Sequence, residues 1–144
     1  GMKGLAEAFS LIGRYWSLEG YDRKAFHWFE RASQMGDVGS HWERAVRLEH
    51  GTGVRQDFVE ALQWYMRASE GGDPRAAHNL GIIYLMGKGV RKDKMKARQY
   101  FEQGAQGHVG ESHYQLSIIY EQEGNAVKSQ DHLLFAAKVD TPAD

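Results

Sequence analysis

The residues best equipped for chemistry are seven histidines and nineteen carboxylates, and their spacing assembles no familiar reacting set. The histidines form no His-Glu-X-X-His pair and no i, i+4 set with a carboxylate that would hold one metal ion. No serine is followed by lysine at the third place, and there is no Gly-X-Ser-X-Gly elbow to present a nucleophile. The chain has no cysteine, which removes thiolate catalysis and disulfides together and fits a reducing compartment. Gly81 to Lys88 approximates a phosphate loop, but the interval is one residue too long and Gly89 stands where Ser or Thr is needed. These residue types point to binding rather than reaction, so the expectation is a protein that is not an enzyme, with no metal and no cofactor.

Charge narrows the partner. Eighteen Lys and Arg against nineteen Asp and Glu leave a net charge of -1, which gives no general attraction to a phosphate backbone or an anionic membrane. One local excess exists: Lys88, Arg91, Lys92, Lys94, Lys96 and Arg98 face Asp93 alone. It could meet an acidic partner or RNA, but no aromatic platform interleaves the charges as single-strand binding requires, and a solvated convex face is the simpler account. No apolar run reaches the ~18 residues of a membrane span. The opening, Met2 to Leu18, is broken by Glu7 and Arg14 and lacks a small-residue cleavage site, so it does not read as a signal peptide and a cytoplasmic location is expected.

The elements that would position binding residues come from a repeat. With 42% apolar residues, 144 residues suffice for one folded domain with a continuous core. Gly51-Thr52-Gly53-Val54-Arg55-Gln56-Asp57 falls on Gly87-Lys88-Gly89-Val90-Arg91-Lys92-Asp93 after a shift of 36 residues. The same shift carries Ala25, Trp28 and Phe29 onto Ala61, Trp64 and Tyr65, and these onto Ala97, Tyr100 and Phe101. The period predicts four units, residues 2–35, 36–71, 72–107 and 108–140, followed by a short tail at 141–144. Each reads as helix, turn and helix. In the third unit Asp73 and Pro74 start the first helix, which ends near Met86; Gly87 and Gly89 make the turn and Asp93 caps the second helix. The second unit repeats this with Asp57 as cap and Glu60 completing a capping box. The outer units lack about four residues at this loop, as differing end units do. Small residues such as Gly81 and Ala97 let paired helices approach while the aromatics fill the space between layers.

Asn79-Leu80-Gly81-Ile82-Ile83-Tyr84, then Gly87-Lys88-Gly89-Val90, Asp93, Ala97, Tyr100-Phe101 and Ala105 resemble the Sel-one-like repeat, a relative of the tetratricopeptide repeat. The second unit departs from the pattern, with Arg44 where Leu80 and Leu116 sit, Ala45 for Gly81 and Leu48 for Tyr84. The resemblance covers nearly the whole chain and implies an all-α, αα-superhelical solenoid of four helix-turn-helix repeats. It further implies a concave face lined by the first helices and a role as an adaptor holding proteins or peptides.

On that geometry the groove positions are Trp42, Val46 and Glu49, then Arg75, His78 and Ile82, then Tyr114 and Ile118. Trp42, His78 and Tyr114 share one register, so they read either as peptide anchors or as rings packed between layers. Four layers at roughly 9–10 Å span a groove that about ten extended residues would cover. The function expected is binding of an extended peptide or a partner helix; a small-molecule or glycan receptor using the same aromatic wall is the alternative. On the first helix, Leu11, Tyr15 and Leu18 form an apolar stripe beside the core stripe of Phe9, Ile12 and Trp16. The equivalents of that stripe in the second unit are Glu43, Arg47 and His50, so it is expected to lie outside the core, where it serves homodimerisation or folds against its own neighbour. Arg44, a charge at a seam, must be paired or snorkel to solvent.

Overall fold

The computed structural model describes residues 1–139. Residue 140, at the end of the fourth expected unit, and the 141–144 tail lie outside the described residues. The described residues form eight helices and no strand: α1 (Met2–Leu18), α2 (Asp22–Gln34), α3 (Val38–His50), α4 (Phe58–Glu70), α5 (Pro74–Met86), α6 (Lys94–Gln106), α7 (Gly110–Gln122) and α8 (Ala126–Val139). They fall into two compact halves, each of two helix pairs and termed the first and second unit below: Gly1–Asp73 and the part from Pro74 onward. In the first, α1 packs on α2, α2 on α3 and α3 on α4; in the second, α5 to α8 pack in the same succession.

Local chemistry sets the helix ends. Asp57 and Asp93 each accept a hydrogen bond from the backbone N–H three residues on, Glu60 at 3.0 Å and Lys96 at 3.1 Å, satisfying a donor that a helix start leaves open. Asn125 does the same for Lys128 at 3.1 Å, which puts α8 in register with α4 at a spacing shorter by the contracted loop. At the end of α3, Gly51 takes φ 69° and lets the Thr52 N–H reach back to the Arg47 carbonyl at 2.9 Å. Gly53, at φ 76°, meets a second demand: a Cβ there would lie 2.2 Å from the Asp22 carbonyl oxygen.

The second helices α2, α4 and α6 each contribute one fully buried ring, Phe29, Tyr65 and Phe101, flanked by buried alanines one turn away on either side. The first helix makes room for it with a small residue. A Cβ on Gly13 would touch the Phe29 ring at 3.0 Å, and one on Gly81 would enter the Phe101 ring at 2.6 Å. Gly104 plays the same part between α6 and α7, where a Cβ would lie 2.3 Å from the Ser112 hydroxyl.

These distances order two substitutions. Alanine is worth about 1 kcal/mol over glycine in a helix interior. At Gly13 that gain roughly offsets a contact a small ring shift relieves, so Gly13→Ala should change stability by less than about 1 kcal/mol. At Gly81 the overlap is too deep for such relief, and Gly81→Ala should lose about 1–3 kcal/mol. Urea unfolding of both variants, with Phe101→Leu added to restore part of the Gly81→Ala loss, checks this; equal midpoints for the two single variants would overturn it.

Candidate interaction surfaces

The first-helix positions divide by what they touch. In the first unit Trp42 and Val46 are half-buried on α3, whereas Glu49 is buried and its carboxylate accepts the Tyr65 hydroxyl at 2.6 Å. Burial and that carboxylate push the Tyr65 hydroxyl well above its usual range, so it stays a donor. Glu49 therefore braces α3 against α4. In the second unit His78 Nδ1 lies 2.9 Å from the Ser112 hydroxyl and its ring 5.5 Å from Phe101, which ties α5 to α6 and α7. Ile82 and Ile118 are half-buried, Arg75 is exposed, and Tyr114 stands 51% exposed on α7.

Both arginines of α3 are held by carboxylates and rings. Arg44 Nη2 lies 3.4 Å from Glu30 and 3.8 Å from Glu60, with its guanidinium 4.0 Å over Trp64; its buried Nε has no partner. Arg47 corrects the expectation drawn from Glu43, Arg47 and His50, because it is buried, only 7% exposed. It lies over the Phe29 ring at 4.5 Å, donates to Ser17 at 3.0 Å and pairs with Glu43. Its register partners Ile83 and Ile119 are buried too, so Tyr15, 54% exposed, occupies a position that is interior in later pairs. Leu11 and Leu18 are exposed beside it. The basic run is partly engaged: Arg98 makes two hydrogen bonds to Glu123 at 2.9 and 3.0 Å, and Lys94 reaches Gln122 at 3.0 Å.

A cleft of about 430 Å³ that the sequence reading missed opens between α6, α7 and α8, lined by Glu102, Ala105, His113, Tyr120, Lys128 and Phe135 among others. His113 and His132 approach Nδ1 to Nδ1 at 2.9 Å, so one ring carries the hydrogen and the other accepts it. The His132 ring stacks on Tyr120 at 5.5 Å and the His113 ring on Phe135 at 5.2 Å. Tyr120 donates to Glu102 at 2.7 Å; burial and that carboxylate push its hydroxyl up to about 12. The signal for the cleft was the aromatic series Trp28, Trp64, Tyr100, which changes type at His132 once the shorter last loop is allowed for. Among the described residues no group of three or more His, Asp or Glu could hold a metal ion.

Burial holds the imidazoles of His41, His78, His113 and His132 below their ordinary 6.5, and for His132 the neighbouring His113 adds to the effect. The unfolded chain therefore takes up these protons at higher pH than the folded one. Stability is present above 6.5 and is lost as the pH falls through that value toward the folded ones. Urea midpoints should drop between about pH 7 and pH 5, with a shallower drop in His132→Phe. A flat wild-type profile would contradict this account.

Comparison with known proteins follows the same architecture. A family model, the Sel1 repeat, matches residues 12–37, 40–73 and 74–108. The Sel1 repeat protein from Oxalobacter formigenes is 23% identical, with a TM-score of 0.87 over 94% of this chain and 59% of its own. The protective antigen c5321 of uropathogenic Escherichia coli, which displays an SLR fold, is 21% identical with a TM-score of 0.87, covering 94% of this chain and 31% of its own. MamA is 14% identical, with a TM-score of 0.64 over 94% of this chain and 78% of its own. This chain thus spans less than two thirds of the first two, and at these identities the likeness concerns the fold. No curated protein matches it. Among the described residues no helix is long and apolar enough to cross a membrane. The repeated ring-on-small-residue seams, the glycine turns and three matched segments covering most of the sequence place this chain in the Sel1 repeat family of all-α helix-turn-helix solenoids.

Proposed function

We propose that the chain is a non-enzymatic adaptor that binds an extended peptide or a partner helix on the open faces of its first helices. Sel1 repeats generally mediate protein interactions, which supports the class of role. The surface proposed on the second unit comprises Arg75, His78, Ile82, Tyr114 and Ile118; on the first it comprises Trp42 and Val46, with Glu49 as the brace behind them. The observation that carries this reading is Tyr114, a ring left half in solvent on a helix whose opposite side buries Leu116, Ile119 and Tyr120. A tyrosine so placed has an apolar body to cover and a hydroxyl to satisfy, the combination enriched among residues that dominate interfaces.

Tyr114→Ala is the cleanest probe, because His78 and Glu49 also hold helices together. Linear peptides selected on the wild-type protein from a displayed random library should bind Tyr114→Ala about tenfold more weakly, with helicity and melting temperature unchanged. Equal binding by the variant, or failure to enrich any sequence, would defeat the proposal.

A second surface is proposed for self-association: Leu11, Tyr15 and Leu18 on α1. Tyr15 supports it, since the same position is interior at Arg47, Ile83 and Ile119. Sedimentation should show a concentration-dependent dimer that Tyr15→Glu abolishes. A monomer throughout the range would remove this surface from the reading.

A further inference from the structure

The α6–α7–α8 cleft has an internal template in the first unit. With α8 aligned on α4 through the caps Asn125 and Asp57, His132 corresponds to Trp64, His113 to His41, Glu102 to Glu30 and Leu116 to Arg44. The ring pair is preserved: His41 and Trp64 have centroids 5.2 Å apart, as do His113 and His132. What changes is size. In the first unit an indole fills the space between second helices, sandwiched by Arg44 at 4.0 Å and Arg67 at 4.6 Å. In the second unit an imidazole stands there, Leu116 replaces the arginine of α3, and the cleft of about 430 Å³ remains.

Two kinds of group are therefore missing relative to the template, the cations and the larger ring. The cations' places are already taken, by Leu116 at the position of Arg44 and by Phe135 at that of Arg67. The ring's place is not. Its walls are flat: Tyr120 with His132 and His113 with Phe135 are stacked pairs, at interplanar angles of 6° and 22°. The carboxylates of Glu102 and Asp131 among the lining residues are acceptors for a ring N–H, as Glu60 accepts the Trp64 Nε1–H at 3.5 Å in the template. The volume falls within the range of ligand clefts and exceeds what one ring needs. We propose that this cleft binds a flat aromatic group bearing a ring N–H, an indole above all, which completes the stack that Trp64 completes internally. The site shares no residue with the proposed peptide surface and does not depend on the adaptor reading.

The test is titration of the isotopically labelled chain, followed by amide shifts, with N-acetyl-L-tryptophanamide, with indole, and with N-acetyl-L-leucinamide as an apolar group without a ring. The two indoles should give saturable millimolar shifts centred on Ala105, His113, Tyr120, His132 and Phe135, and leucinamide none. His132→Trp fills the cleft from within and should weaken binding by at least about tenfold. His132→Tyr, which copies the stacked Tyr84 and Tyr100 pair, should weaken it less and serves if the tryptophan variant fails to fold. Tighter binding of the tryptophanamide than of indole would assign the group to a partner protein's side chain; equal binding would assign it to a free ring compound. Absence of saturable shifts in the wild type, the same response to leucinamide, or undiminished binding by a folded His132→Trp or His132→Tyr would overturn the proposal.

Discussion

The three helix pairs from α1 to α6 depend on a ring packed against a small residue of the helix opposite. Phe29 reaches α1 because Gly13 has no side chain, and Phe101 reaches α5 because Gly81 has none. Burying a ring of this size removes apolar surface worth about 1.5–3 kcal/mol from water, and it does so only if the partner helix comes close. Close approach in turn fixes which residues one turn away face each other. The buried alanines on each side of the ring follow from the same requirement, since a larger side chain would hold the helices apart.

The seam is thereby generous to charge in one circumstance. Arg44 and Arg47 lie on the helix that carries Ala45, yet neither breaks the packing, because each guanidinium lies over a ring of a second helix and is met by glutamates or a serine. A lysine would not serve as well, since its charge is compact and strongly hydrated where guanidinium is planar and weakly hydrated. The aromatic that builds the repeat thus also admits the cation that departs from it. Glu49 follows the same logic with the sign reversed: a buried carboxylate is tolerated because the Tyr65 hydroxyl, a tyrosine where the flanking pairs have phenylalanine, reaches it.

That dependence explains what could be read from the residues and what could not. The ends of α5 were legible in Asp73-Pro74 and Gly87, the start of α6 in Asp93, and the contracted outer loops in the missing Gly-X-Gly segment, because caps and turns act within a few residues of chain. The burial of Arg47 and Glu49 was not legible. Glu121 has the same register as Glu49 and is exposed, and the difference lies in a tyrosine hydroxyl on another helix. His78 shares its register with Trp42 and Tyr114, but Ser112, a helix pair further on, captures its ring. A repeat makes backbone placement periodic, while the partners of each polar atom remain particular to its own neighbourhood.

The ring positions show why variation concentrates where it does. The inner series Phe29, Tyr65, Phe101 is confined by a glycine or alanine opposite, so a change of size there is felt by the backbone at once. The outer series Trp28, Trp64, Tyr100, His132 touches side chains that can themselves change: Phe9 beside Trp28, His41 and Arg44 beside Trp64, Tyr84 beside Tyr100, and Tyr120 with His113 beside His132. Each outer ring meets a different local set, so its size can fall without parting the helices. When it falls from indole to imidazole the deficit appears as a cleft rather than as lost packing, since Phe101 and Leu116 behind it remain fully buried. A repeat of this kind is free to open a site at the outer ring while the inner ring holds the architecture.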